Sequence, residues 1–464
     1  MENKTFKSYS SLIVFIFFLS VFIYLINSQE VNNSEDFIFW ASLNFWLFCS
    51  PIILYFKGSE RSVSYFPFIG LLGLSLLVSF GIPPFVIDAQ SYQLNPLTIE
   101  SLKISFWAYL VLFVTFYLFR KVFIKIKPYE PIKTFEIKKV RNLNIIFLLI
   151  YLLSISFIST ILQLGDFTLF IYLGLNLFFI SKKINLSFIE KATFGSVLVY
   201  EITRRIISGL AAPFLVLTLF VVIVDYVIYK QIRKKIILLF LSFNIVIYML
   251  FSVVKFQYRI ETWGNNINLS IGQRLYILKE LVLSKGNIEL LRNNEKKTDG
   301  DNFFWRFSYQ ASALAFVLKE TPGNIPYWNG ESYKLFSKLI PRFLWPGKPQ
   351  EILGQEFGHR YGILGASDTN TSMNTPILVE SYMNFGQVGM YLMMILFGVL
   401  YAYLDRKFNT GTNFHVNKII GIALLFPLLI HESNFTMVFG NIPLNLVALQ
   451  IIINMGYKNK VSRH

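Results

Sequence analysis

Few side chains in this chain could do chemistry. Histidine occurs four times, as His359, His415, His431 and His464, and cysteine once, as Cys49. That is too little for a histidine-rich metal centre, and a lone cysteine in an apolar run excludes a disulfide framework and a thiolate cluster. Glu356 and His359 have the E-x-x-H spacing of di-iron helix bundles. Such sites need a second copy and further carboxylates, and Gly358 flanks this one. Neither the phosphate-cradling G-x-x-x-x-G-K-[ST] loop nor the zinc-binding H-E-x-x-H pair is present. Nucleotide-driven and zinc-dependent reactions therefore find no support. What remains are carboxylates (Asp368, Glu380, and Glu432 beside His431) and arginines, among them the adjacent Arg204 and Arg205.

The elements that must position these groups are membrane helices. The 464 residues are 54% hydrophobic, 17% aromatic and only 15% charged, with a mean hydropathy of +0.52. Lipid is the solvent for such a composition. The net charge of +16 lies in short stretches between apolar runs, where it orients helices, so the bilayer is an expected partner and nucleic acid is not. Crossing the hydrocarbon takes ~20 apolar residues. By that measure helices are predicted over 11–27, 37–56, 64–86, 102–125, 142–163, 166–182, 206–229, 236–255, 387–404, 417–437 and 440–456. A less apolar crossing at 187–203 lets the next helix begin outside. Ser11 to Ile26 lacks a small-residue cleavage site and a second span follows at once, so it reads as the first span. The expected fold is all-α and polytopic, with roughly twelve transmembrane helices.

Lysine and arginine near helix ends favour the cytoplasm. They crowd residues 57–61, 120–141, 182–183, 233–235, 406–407 and 458–463, whereas 28–36, 87–101 and 438–439 carry none. Both termini are then cytoplasmic. The chain divides into nine spans over 1–255, one large extracytoplasmic loop over 256–386, and three spans over 387–464. Within the loop, 303–319 reads as an aromatic-rich helix and 331–340 as an amphipathic one halted by Pro341. Trp305, Trp328 and Trp345 suit the headgroup level, which would lay these helices along the interface. Arg204 and Arg205 stand at the one short outer connection that opposes the charge rule.

The most diagnostic stretch is TPGNIPYWNGESYKLFSKLIPRFLWPGKP at 321–349, followed by Phe357, Tyr361 and ESYMNFGQVG at 380–389. It resembles the oligosaccharide repeat-unit polymerases of the O-antigen polymerase (Wzy-type) class. Their outer loop ends in a similar G-x-x-Y…I-P-R-x-L-W-P-x-K-P run before an N-F-G-x-x-G helix start. Arg204 and Arg205 ahead of ISGLAAPF look like that family's arginine-bearing helix start. The resemblance implies a glycosyltransferase of the bacterial inner (cytoplasmic) membrane. It would join polyprenyl diphosphate-linked oligosaccharide units into a surface polysaccharide outside the cytoplasm, without metal or other cofactor, with a chain-length regulator protein as a further partner. Cationic side chains must then hold the diphosphate. Arginine's planar fork binds phosphate oxygens bidentately, and the candidates are Arg204, Arg205, Arg306 and Arg342. The alternative for each is a headgroup contact at a helix end; Arg342 is also pinned between Pro341 and the Trp345-Pro346 turn.

A base must deprotonate the acceptor hydroxyl. Related ligases carry a His-Asn pair eleven residues ahead of the first glycine of the G-x-x-G helix start, but counting back from Gly386 gives Thr375. Glu380 and His359 are the leading substitutes, with Asp368 and the His431/Glu432 pair behind them. Glu380 could instead favour the positive end of a helix dipole. Two rivals stand. A metal-dependent lipid-phosphate-sugar transferase would use Glu35 and Asp36, in a loop too short to build a metal site. A transporter or flippase would suit twelve helices with both ends inside, but such proteins commonly show internal pseudo-symmetry, and nine helices, one loop and three helices are lopsided.

Overall fold

The computed structural model describes residues 2–27, 34–57, 66–87, 92, 94–132, 136–156, 162–209, 211–229, 231, 233–263, 269–283, 307–333, 345, 347, 352–369, 371–409 and 415–457. Every described element is a helix. Six helices are long and apolar enough to cross a membrane: Glu35–Lys57, Phe68–Val86, Ile99–Lys125, Leu164–Ser181, Ile377–Asn409 and Phe435–Met455. Shorter apolar helices run over Ser11–Asn27, Pro213–Tyr229 and His415–Leu429. Large apolar side chains also face outward along them, such as Leu118, Val388, Leu396 and Ile451. In water such a surface would be a liability; against lipid tails it costs nothing.

Two compact units share the chain, Met1–Thr168 with Gly300–His464, and Leu169–Asp299. The expected segments divide it by side of the membrane instead. The first unit holds α1 (Glu2–Asn27), α2 (Glu35–Lys57), α3 (Phe68–Leu76), α4 (Pro83–Val86), α5 (Ile99–Val122) and α6 (Ile137–Ser156). The second is built from the body of α7 (Leu162–Ser181), with α8 (Phe188–Ile207), α9 (Ala211–Tyr229), α10 (Lys234–Trp263) and α11 (Ile271–Leu283). The first unit then resumes with α12 (Tyr309–Glu320), α13 (Leu353–Arg360), α14 (Ile377–Asn409), α15 (His415–Leu425), α16 (Phe435–Phe439) and α17 (Asn441–Tyr457).

Local chemistry sets many of the ends. Thr98 and Ser187 open α5 and α8 with capping boxes, each hydroxyl accepting from the N3 amide while the N3 side chain returns the bond. The span expected at 64–86 is broken by a wide π turn over Leu77–Gly81 before Pro83 and Pro84. Two consecutive residues without amide donors cannot continue the helical ladder. Pro427 likewise tightens 417–437 into a 3-10 turn at Phe426–Leu429, and the chain restarts as α16.

In the first unit α14 packs along α5, and α2 lies against α3 and α5. Buried Asn44 stitches α2 to α5, its Nδ2 donating to the Leu102 carbonyl at 2.9 Å and its Oδ1 accepting from Ser105 Oγ at 3.1 Å. At the far end of α14, Arg120 Nε donates to Asp405 Oδ2 at 2.7 Å, with Asp405 fully buried. Asn409 Nδ2 bonds both Asp405 Oδ1 and the Phe66 carbonyl.

The aromatic-rich helix expected over 303–319 is described as α12 from Tyr309. Residues Tyr309 to Ala315 are all buried, packed against α14 and α5; a helix covered all round belongs to the interior. Trp328 is likewise 2% exposed, with the Arg360 guanidinium 4.5 Å from its ring centroid, whereas Trp345 is 39% exposed. Trp305, Arg306, Arg342 and residues 334–340 lie outside the described residues.

The helix expected from 387 begins instead at 377 and kinks at Gly386, where φ is +66°. A β-carbon there would also sit 2.8 Å from the Tyr327 hydroxyl. Gly386→Ala is therefore expected to destabilise the fold by about 1–3 kcal/mol from backbone strain alone, read as a lower thermal midpoint in lipid nanodiscs. A wild-type midpoint would show that the kink tolerates a side chain.

Candidate functional site

In the second unit the end of α8 gathers arginines around one carboxylate. Glu201, Arg204 and Arg205 stand at i, i+3 and i+4, so all three project from one face. Glu201 is fully buried. Its Oε1 accepts from Arg204 Nε at 2.7 Å, and its Oε2 from Arg204 Nη2 and Arg205 Nε, both at 2.9 Å. Arg205 Nη1 also donates to the Pro213 carbonyl at 2.7 Å, and its side chain is 4% exposed against 43% for Arg204. The two arginines therefore differ in kind: Arg205 is locked inside, and Arg204 has an open flank.

The turn that follows is held from α10. Gly209 takes φ +70°, and its carbonyl accepts from both Nε and Nη2 of Arg259 at 3.2 and 3.0 Å. Tyr258 Oη donates to the Ile207 carbonyl at 2.6 Å, and Arg274 of α11 approaches the Tyr258 phenol. These donors satisfy carbonyls that the end of α8 leaves without helical partners, and the cations complement its negative dipole end. Two guanidiniums thus pair with the Glu201 carboxylate and two more, those of Arg259 and Arg274, hold the turn that follows, a cluster of cations of the kind that suits an anion with several oxygens.

In the first unit the kink of α14 carries a polar network. Breaking the helix at Gly386 frees the carbonyls of Met383 and Asn384 from their i+4 donors, and the amides of Trp328 and Asn329 fill them at 3.0 and 3.1 Å. Asn384 Oδ1 accepts from the Gly330 amide at 2.9 Å, while its Nδ2 donates to Ser332 Oγ at 2.7 Å. Ser332 Oγ donates in turn to Glu380 Oε1 at 2.7 Å, and the Phe435 amide donates to Glu380 Oε2 at 2.6 Å. Tyr333 stacks on Phe385 with centroids 5.8 Å apart. Burial first, and the Glu380 charge second, push the Tyr333 phenol up, so it stays protonated. Glu380 is 0% exposed. As placed, its carboxylate could meet a substrate only after Ser332 or Phe435 released it.

His359 lies in the last turn of α13 on an exposed surface, and Asp368 accepts from the Thr371 amide at 2.9 Å. His431 is buried, with Nε2 2.6 Å from the Tyr401 hydroxyl, and Glu432 accepts from Asn374 Nδ2 at 3.1 Å. Glu356 and His359 share α13, but among the described residues no three His, Cys, Asp or Glu side chains gather as metal ligands. Sequence reasoning missed Glu201, Arg259 and the Ser332–Asn384 pair. The i+3 and i+4 spacing of Glu201 to the two arginines was a usable signal; the others had none within reach.

Helices, outward apolar faces and buried polar stitching define the class: an all-helical membrane protein. Residues 4–463 match the family model for a domain of unknown function, DUF8712, and the chain belongs to that family. No curated protein and no solved structure matches it.

Proposed function

We propose that the chain is a metal-independent glycosyltransferase of the O-antigen polymerase (Wzy-type) kind, joining polyprenyl diphosphate-linked oligosaccharide repeat units into a surface polysaccharide such as O-antigen. The observation that carries the reading is the arginine array at the turn after α8, where the half-exposed Arg204, held on Glu201 through Nε and Nη2, stands beside buried positive charge. A lipid diphosphate presents closely spaced phosphate oxygens, and bidentate guanidinium bonds match them. Arg306 and Arg342 are proposed to add to the clamp, and His359 and Glu380 are the candidates for deprotonating the acceptor. The reaction belongs on the extracytoplasmic face of the bacterial inner membrane, with roughly twelve crossings, both termini cytoplasmic and 256–386 outside, as the lysine and arginine asymmetry favours.

Purified protein supplied with polyprenyl diphosphate-linked repeat units tests it: a ladder of longer glycans that survives EDTA is expected. The rival reading, a flippase, predicts that the lipid-linked unit crosses a vesicle membrane without elongation. In cells, loss of a polymerase leaves single repeats on the carrier, whereas loss of a flippase leaves none outside. For topology, single cysteines replacing exposed Lys127 and Asn324 in a Cys49-free background should label differently with an impermeant thiol reagent. Position 324 should react in intact cells and position 127 only after lysis; labelling of 127 from outside would overturn the orientation.

A further inference from the structure

In the second unit α11 presents three different sectors around its axis. Ser270 opens the helix with a capping box, its Oγ accepting from the Gln273 amide at 3.3 Å while Gln273 Oε1 accepts from the Ser270 amide at 2.8 Å. With ~3.6 residues per turn, Arg274, Ile277, Leu278 and Leu281 fall on one side, and all four are partly covered. That side packs on α10 and α8, with Arg274 beside the Tyr258 phenol. The next sector holds Ile271, Leu275 and Val282, 43, 40 and 43% exposed, and beyond them Tyr276 and Leu283, 63 and 65% exposed. Gln273 and Glu280 form the third sector and are exposed too. Water around the second sector would leave a continuous apolar patch uncovered, and hydrocarbon around the third would strand a carboxylate. A boundary between the two media suits both. With 13 residues the helix is ~20 Å long, too short to cross ~30 Å of hydrocarbon. Its neighbour α10 turns Leu238, Val246, Met249 and Ile260 outward as well, and a helix of that surface has lipid beside it.

We propose that α11 lies in the surface layer of the phospholipid membrane, with Ile271, Leu275, Tyr276, Val282 and Leu283 toward the acyl chains and Gln273 and Glu280 toward water. Lys279 names the headgroup chemistry. It is exposed and stands inside the apolar arc, three or four residues from Leu275, Tyr276, Val282 and Leu283, so its stem follows the acyl chains while the ammonium reaches a lipid phosphate. Anionic phospholipid is therefore the favoured partner. The seating needs neither a glycan substrate nor the arginine array. Leu275→Cys and Glu280→Cys test it, each in a Cys49-free full chain, carrying a fluorescent label, in nanodiscs of phosphatidylcholine with or without phosphatidylglycerol. Both positions are exposed, so the labelled chains should melt near the wild type. Nitroxide-bearing lipid should quench position 275 at least about three-fold more than position 280, and aqueous iodide should do the reverse. Lys279→Glu should weaken lipid quenching at position 275 about two-fold in the phosphatidylglycerol discs and leave it unchanged in the others. Protection of position 275 from both quenchers would mean that protein covers the arc, and equal lipid quenching at both positions would mean that the whole helix is immersed; either result overturns the seating, as does quenching of position 275 by iodide alone. An unchanged response to Lys279→Glu overturns the contact with an anionic headgroup.

Discussion

Arg204→Ala should all but remove chain elongation, measured per folded molecule. Arg204 is the half-open member of the array, so its loss takes away charge-assisted bonds to the donor, and with them two of the three bonds to buried Glu201, which lowers the thermal midpoint as well. Such bonds are worth about 1.5–3 kcal/mol, or roughly 10–150-fold in turnover at limiting donor. Arg204→Lys should recover little, because a point charge cannot reproduce the fork. Arg205→Ala should cost stability too, without removing an exposed group. With Arg205 locked between Glu201 and Pro213, removing it strips one partner from a fully buried carboxylate, a loss that runs to about 3–5 kcal/mol. That variant should lose thermal stability and keep elongation in its folded fraction. Full elongation by Arg204→Lys would reduce the residue to a headgroup contact and withdraw the main support for a diphosphate donor.

Glu380→Gln separates two roles for the same carboxylate. Both oxygens accept hydrogen bonds, from Ser332 and from the Phe435 amide. A glutamine can accept with one atom only and turns its amide donors toward the other partner. The expected result is a fold weakened by about 1–3 kcal/mol from one unsatisfied buried donor, with elongation on the folded fraction within about ten-fold of wild type, as a group that holds the 328–333 segment would give. A general base contributes ~10²–10⁴-fold. A loss of that size in a variant that melts normally would assign Glu380 to catalysis, and wild-type stability together with wild-type turnover would refute both roles.

The sequence made the helices legible and left their interruptions and partners obscure. A helix stands at each apolar run, and six of them are long and apolar enough to cross a membrane, because burial in lipid demands a long apolar run. The Ser187-to-Glu190 capping box at the start of α8 was another local signal, one that the expected crossing at 187–203 did not use. The start of α14 was missed because Glu380, Ser381 and Asn384 read as loop polarity. Their partners Ser332 and Phe435 lie 48 and 55 residues from Glu380, beyond any local pattern. Trp328 failed for a related reason. Alone, tryptophan suits a headgroup layer, and only packing against Arg360 and the kinked helix makes it a buried residue. At the candidate site the adjacent arginines were conspicuous by opposing the charge rule, but Glu201 and the difference between Arg204 and Arg205 emerge only when the face of α8 is assembled.

The bond between Arg120 and Asp405 joins residues 285 positions apart. At synthesis rates of about 5–20 residues per second, roughly 15–60 s pass between the two leaving the ribosome. Throughout that interval α5 sits in the membrane with its guanidinium waiting, and the first unit closes only when α14 arrives from the other end of the gene. The pair therefore sets an order of assembly. Chains that stop short of Ile377 carry an open seam along α5, and pulse-chase labelling should find them cleared faster than complete chains, marking the last fifth of translation as the moment at which the protein passes quality control.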